Sequence, residues 1–308
     1  MSPARKGKKA GTGAEGAAGD LDPRVTLARP DLAATGLEGR VTADRFAVPR
    51  PMTVCVATAP VTSVPSGTAE MTSQLLFGER FDVLEADGLW AWGQCAHDGY
   101  VGHVPRSCLD TPEAVGGGVA PTHRVATLST HVYPEPSVKH RPGAALPMGA
   151  RLAVGQIRDG FAQLAAGGWV PQTHLAPLDE RVDWVASAEA LRGVPYLWGG
   201  RSTLGLDCSG LVQIALQAAG RTCPRDSDMQ EAALGMGVAA EAELVRGDLV
   251  FWTGHVGIML SPERFLHANI FHMAVAEEPL AEARARIAER GGGAVTRIAR
   301  LDGSDASA

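Results

Sequence analysis

The chain has 308 residues, 45% of them apolar, and a formal net charge of −6 at pH 7. That length accommodates two or three domains with ample core. The acidic balance argues against nucleic acid or an anionic membrane surface as the main partner, and no apolar run reaches the roughly 18 residues of a membrane span.

Residues 1–24 are rich in Ala, Gly and Lys and read as a disordered tail. The basic run Arg5-Lys-Gly-Lys-Lys9 has no apolar stretch behind it, so it reads as solvated tail and not as a secretory signal. The five cysteines are odd in number and lack a Cys-x-x-Cys spacing. Together these features lead us to expect a reducing, cytoplasmic setting. Residues 25–51, with moderate apolar content and several prolines, are expected to form an N-terminal arm.

An internal repeat follows. Val56-Ala-Thr58 returns as Val125-Ala-Thr127, Gly78 as Gly149, and Asp87-Gly88 as Asp159-Gly160. Gly102-His-Val-Pro105 with Leu109 returns as Gly168-Trp-Val-Pro171 with Leu175. Short alternating segments such as Arg80-Phe-Asp-Val-Leu-Glu, broken by Asp-Gly turns, predict two small β-barrels over 52–112 and 120–179, separated by the linker Gly116-Gly-Gly118. The layout of the first copy looks like bacterial SH3-like domains.

Residues 182–308 form the third unit, entered by a helical segment over 182–191. Here a glycine-rich loop, Tyr196-Leu-Trp-Gly-Gly200, runs towards Asp207-Cys-Ser-Gly-Leu211. Asp207 is a good N-cap, so Cys208 falls in the first turn of a helix whose apolar face is Leu211, Ile214, Ala215 and Ala218, and Gly220 is a suitable stop. A thiol there meets unpaired N–H groups and the positive end of the helix dipole, which favour the thiolate. The remaining cysteines lack such a context. A zinc site from Cys95, His97, His103 and Cys108 fits no common spacing, so no metal is expected.

With Gly247-Asp-Leu-Val-Phe251 and His255-Val-Gly-Ile258 added, four blocks closely resemble the NlpC-type papain-like cysteine peptidases, enzymes that cut peptides of bacterial wall peptidoglycan. The fold implied is α+β, a papain-like NlpC-type catalytic domain preceded by two small SH3-like β-barrels. The resemblance makes Cys208 the nucleophile, His255 the base that further depresses the thiol pKa, and His267 the group orienting that base. Asn269 and His272 are rivals for the third position; an odd-numbered shift along a strand reverses side-chain direction and counts against His272. Tyr196 matches a family tyrosine whose hydroxyl, with the Cys208 N–H, would bind the developing oxyanion.

Two barrels, together with Glu70-Met-Thr-Ser-Gln-Leu-Leu-Phe-Gly-Glu79 and Pro224-Arg-Asp-Ser-Asp-Met-Gln230, resemble the γ-D-glutamyl-L-diamino-acid endopeptidase branch, or dipeptidyl-peptidase VI. Carried over from that branch, Glu70, Tyr100, Asp207, Ser209, Arg225, Asp226 and Ser227 would contact substrate. In that scheme Arg225 and the hydroxyls take the free carboxylate of the γ-linked D-glutamate, and Glu70 and Asp226 take a free α-amine. Tyr100 would close the pocket beyond the amine, while Asp207 also reads as a cap alone. The expected substrates are small murein-derived peptides with a free N-terminal L-Ala, cut without a cofactor, with no nucleic-acid, membrane or protein partner. An amide acyltransferase on the same fold and a non-catalytic wall-peptide-binding protein are the alternatives.

Overall fold

The computed structural model describes residues 21–239 and 242–301. The expected tail lies outside the described residues as far as residue 20. Residues 21–24, assigned to it, instead enter a turn in which Asp22 Oδ1 accepts the Arg24 N–H at 2.9 Å. Beyond it Leu27, Leu32 and Ala34 are buried against Trp92 of the first barrel, and strand Ala33–Ala34 pairs in parallel with Phe46–Ala47. Apolar side chains spaced along an otherwise irregular segment thus seat it on the barrel wall.

The first barrel is a seven-stranded antiparallel sheet, ordered Met71–Leu76, Thr58–Thr62, Val101–Pro105, Trp90–Cys95, Arg80–Asp87, Arg50–Val54, Leu109–Asp110. Inward positions alternate as the pleat requires, and Val54, Val61, Leu75, Phe81 and Val104 form a fully buried core. The second copy repeats the plan in three small sheets around Val125, Leu146, Leu152, Ala162, Leu164 and Val170. The repeated motifs fall at equivalent places. Val-Pro ends a strand and is followed by a 3-10 turn, Arg106–Cys108 in one copy and Gln172–His174 in the other. Gly78 and Gly149 both have left-handed φ, +77° and +88°. A cleft of about 760 Å3 between the barrels is lined by Phe77, Val119, Leu146 and Leu164 among others, and by no residue of the C-terminal unit.

That unit carries a six-stranded antiparallel sheet in the order Met236–Gly237, Arg297–Arg300, Leu249–Trp252, His255–Met259, Arg264–Asn269, Ala274–Pro279. Helix Cys208–Ala218 lies on one face, where Leu211, Val212 and Ala215 meet Phe251, Val256, Ile258 and Leu266. Helix Leu280–Glu289 covers the other, with Leu280 and Ala283 against Val250, Trp252, Met259 and Phe265. Both faces are covered, so Leu249–Trp252 is a continuous apolar run with every residue buried. The Cys208 helix departs from the single apolar face expected of it: only Gln217 escapes burial. Barrel residues cover its other side, as where a side chain at Gly149 would stand 2.6 Å from Ile214.

The junction between the first barrel and the C-terminal unit is ionic and buried. Arg201, 0% exposed, donates to Glu79 Oε2 at 3.1 Å and Oε1 at 3.2 Å, to the Gln74 carbonyl at 2.6 Å and to Gln217 Oε1 at 2.8 Å. Burial opposes ionisation of Glu79, but the charge and hydrogen bonds of Arg201 outweigh it and hold the carboxyl at about 2. Removing one partner strands the other charge. Arg201→Met is therefore expected to cost about 3–5 kcal/mol in urea denaturation, much of it recovered in the double variant with Glu79→Leu. Because the folded pKa lies below the ordinary 4.5, the carboxylate stabilises fully above that pH and its contribution is lost as pH falls towards 2. The Arg201→Met/Glu79→Leu variant should show a shallower loss of stability over that window.

Candidate active site

Cys208 opens its helix because Asp207 stops the chain in extended conformation, φ −94° and ψ −179°, and its Oδ1 accepts the Gly210 N–H at 2.7 Å. The other carboxylate oxygen accepts the Gly199 N–H at 2.9 Å, tying the glycine loop to the helix start. Gly199 has φ +73°, and a Cβ there would stand 2.9 Å from the Met71 carbonyl carbon, so loop and barrel strand touch through backbone.

Arg225 is drawn into the same cluster. Its guanidinium donates to Asp207 at 2.6 and 3.0 Å, to Ser209 Oγ at 2.8 Å and, from Nε, to Ser73 Oγ of the first barrel at 3.0 Å. Arg225 is 1% exposed. The guanidinium fork expected to face a substrate carboxylate is closed on Asp207 in this structure. Asp207 and Ser209, also expected at the substrate, are likewise buried and bonded within the cluster, where they serve as cap and brace.

His255 begins its strand after a two-residue turn, Thr253-Gly254, that pairs it with Trp252. The next residue, Val256, packs in the same buried cluster as Cys208, so strand and helix start carry base and nucleophile on adjoining elements. His255 Nε2 lies 2.7 Å from His267 Nδ1, and His267 Nε2 lies 2.6 Å from Glu278 Oε1. Arg286 closes the chain on both oxygens of Glu278, at 2.5 Å from Nη1 to Oε2. Gly257 makes room for this row, since a Cβ there would stand 2.8 Å from the His267 Cβ. Asn269 turns away, accepting from the His272 backbone N–H at 2.9 Å, and His272 is exposed.

Burial pushes the Cys208 thiol up to about 12, helped by the Asp207 charge and only partly opposed by backbone N–H groups and the Arg225 charge. Burial, with the neighbouring His267 and Arg286, takes His255 down to about 3. The resting pair is thus a neutral thiol and a neutral imidazole. This corrects the expectation of a depressed thiol pKa, because the same helix entrance that supplies N–H groups is buried and carries an acidic cap.

Tyr196, half-buried, forms a bridge with Leu206, and its N–H donates to the Met273 carbonyl at 2.9 Å. Burial and then the charges of Cys208 and Asp207 raise its hydroxyl pKa, so it stays a donor beside the sulfur. From the first barrel, the Tyr100 hydroxyl donates to Asp226 Oδ2 at 3.1 Å, and exposed Glu70 accepts the Trp198 Nε1–H at 2.9 Å. Ser227, half-buried, starts helix Ser227–Ala233. Sequence reasoning missed Arg24, which donates to Asp226 at 2.9 Å and to both oxygens of Asp228 at 2.9 and 2.7 Å. It also missed Glu278 and Arg286. The only hint of Arg24 is a lone cation in an acidic segment. Among the described residues one cluster brings potential metal ligands together, His267, His272 and Glu278 within 4.8 Å, and Glu278 is already held by His267 and Arg286.

The sequence profile of the NlpC/P60 family matches residues 193–286, and that of the bacterial dipeptidyl-peptidase SH3 domain matches residues 63–109. The C-terminal unit is an NlpC/P60 cysteine-peptidase domain. Relatives include a gamma-D-glutamyl-L-lysine dipeptidyl-peptidase of Bacillus cereus, 25% identical across 68% of this chain and 71% of its own. Another is a dipeptidyl-peptidase 6 of Lysinibacillus sphaericus, 26% identical across 67% of this chain and 83% of its own. In fold, the chain resembles the crystal structure of an NlpC/P60 family protein from Bacillus cereus, with a TM-score of 0.69 at 20% identity over 82% of this chain and 99% of that one. The NlpC/P60 domain thus sits in an α+β chain behind SH3-like barrels.

A buried neutral thiol makes a specific demand on alkylation kinetics. Iodoacetamide labelling of Cys208 should be slow at pH 7 and rise about tenfold per pH unit to beyond pH 9. A flat rate between pH 5 and 8, followed by peptide mapping, would instead reveal a pre-formed thiolate.

Proposed function

We propose that this protein hydrolyses the amide between γ-D-glutamate and a diamino acid in murein-derived peptides that carry a free N-terminal L-Ala. The observation that carries this reading is the contact of the first barrel with the cleft: Tyr100 bonds Asp226, and Glu70 stands with Trp198 at the rim. In this reading the wall contributed by a second domain admits a short peptide and opposes a bulky upstream glycan. Asp226 already shares its charge with Arg24 and Tyr100, so exposed Glu70 is the anion left for the α-ammonium, with Ser227 a further polar contact. The names of the two relatives point to the same class of substrate.

In this mechanism His255 takes the Cys208 proton as substrate enters, and the sulfur attacks the carbonyl carbon. The Cys208 N–H and the Tyr196 hydroxyl receive the oxyanion. Collapse breaks the C–N bond, His255 delivers its proton to the leaving amine, and water then cleaves the thioester. His267 orients the base throughout. All five cysteines are free, which suits the reducing cytoplasm, where such peptides would arrive as recycled wall fragments. Among the described residues no helix is long and apolar enough to cross a membrane.

Cys208→Ala and His255→Ala should each abolish turnover, whereas His267→Ala should leave a measurable remainder, because an orienting group is worth less than the groups that transfer the proton and form the bond. The substrate assignment is tested with L-Ala-γ-D-Glu-diaminopimelate, the products being identified by mass. N-acetylation of the alanine, or Glu70→Ala, should lower kcat/KM at least about tenfold, the worth of roughly 1.4 kcal/mol. Equal cleavage of free and acetylated peptide would refute the free-amine requirement, and appearance of a new amide in place of free dipeptide would identify an acyltransferase.

A further inference from the structure

Beyond the catalytic row, Glu278 and Arg286 touch no reacting atom, yet their contacts dictate where protons sit. Glu278 comes from strand Ala274–Pro279, whose register pairs it with Phe265 and so aims it at the face that also carries His267. Arg286, on helix Leu280–Glu289, grips both of its oxygens and is itself held over the Phe271 ring, 4.4 Å from its centroid. Burial opposes charge on Glu278, but the hydrogen bonds from His267 and Arg286 prevail and keep it ionised, at about 2. An ionised carboxylate only accepts. His267 Nε2, 2.6 Å away, must therefore carry the hydrogen.

The rest follows by elimination. Burial keeps His267 neutral, and with its hydrogen on Nε2 its Nδ1 is an acceptor. The ring nitrogen 2.7 Å from that acceptor, His255 Nε2, must then be the donor. The lone pair of His255 is left on Nδ1, the nitrogen free to receive the Cys208 proton. Were His267 to take a second proton, its Nδ1–H would point at His255 Nε2 and force the hydrogen of His255 onto Nδ1, disabling the base. An unpaired carboxylate beside His267 would favour that state, and Arg286 counters it. The groups facing His267 are His255 from its neighbouring strand, Glu278 from the other, Arg286 from the helix and His272 from the following loop; Glu278 favours its protonation, and Arg286 and His272 oppose it.

We propose that the Glu278–Arg286 ion pair is a positioning device that fixes the tautomers of both histidines, so that His255 presents Nδ1 to Cys208. The device rests on the peptidase reading above, but its first test does not. Nitrogen-15 NMR of histidine-labelled, unmodified protein at pH 7 should find His255 and His267 both protonated on Nε2. Finding His267 protonated on Nδ1 overturns the proposal without any variant. In Glu278→Ala the two histidines should lose their fixed tautomers, and kcat should fall by about tenfold or more with KM within about twofold. In Arg286→Met, His267 should gain a proton, and the acid limb of kcat/KM should move up by about one pH unit or more, with the plateau nearly kept. Unchanged tautomers and kcat in Glu278→Ala would also overturn it. If the protein cleaves no peptide, the functional reading fails while the tautomer spectra still decide this one.

Discussion

The carboxylate of Asp207 organises the site, because its two oxygens serve the Gly210 N–H, the Gly199 N–H and the Arg225 guanidinium together. One group thereby starts the helix, anchors the Tyr196 loop beside it and fastens both to Ser73 of the first barrel through Arg225. A buried anion with this many donors is stable only while all of them remain, which makes the assembly cooperative. The same anion raises the energy of a thiolate one residue away. Its structural work and the nucleophile's ionisation are therefore in opposition, and the neutral resting thiol is the outcome.

The barrel is consequently part of the site's construction. Arg201 and Arg225 both leave the C-terminal unit to find partners on strand Met71–Leu76 and its following turn, and Gln213 of the Cys208 helix reaches Asp98 at 2.9 Å. Arg24, in the turn just ahead of the arm, adds a third layer against Asp226. Charges in these positions are costly unless matched, so they define one docking geometry more sharply than apolar contact alone.

Local chemistry was the legible part of the sequence. The Asp207 cap, the helix stop at Gly220 with φ +70° and the Asp-Gly turns each depend on residues within a few positions, and they stand where the pattern put them. The twofold repeat was legible for the same reason. What depended on register was not. Glu278 reaches His267 only because Phe265 pairs with Glu278, and nothing in Glu277-Glu278 tells which of the two points inward. The partners of Arg225 were equally illegible, because an arginine beside a cleft looks unpaired until its buried carboxylate is known. The thiol's ionisation was misjudged because helix dipole and burial act oppositely, and only the folded state gives the depth of burial.

The burial of nearly every residue of Cys208–Ala218 bears on how this architecture can be rearranged. A helix with no solvent face belongs equally to the sheet beneath it and the barrel above it. Cut at residue 182, the C-terminal unit would open Ile214, Gln213 and Arg201 to water, and would lose Ser73 and Glu79 as counterparts to its arginines. The boundary visible in the sequence is therefore not a line along which this chain can be divided without cost: a substitution on either side is felt across it.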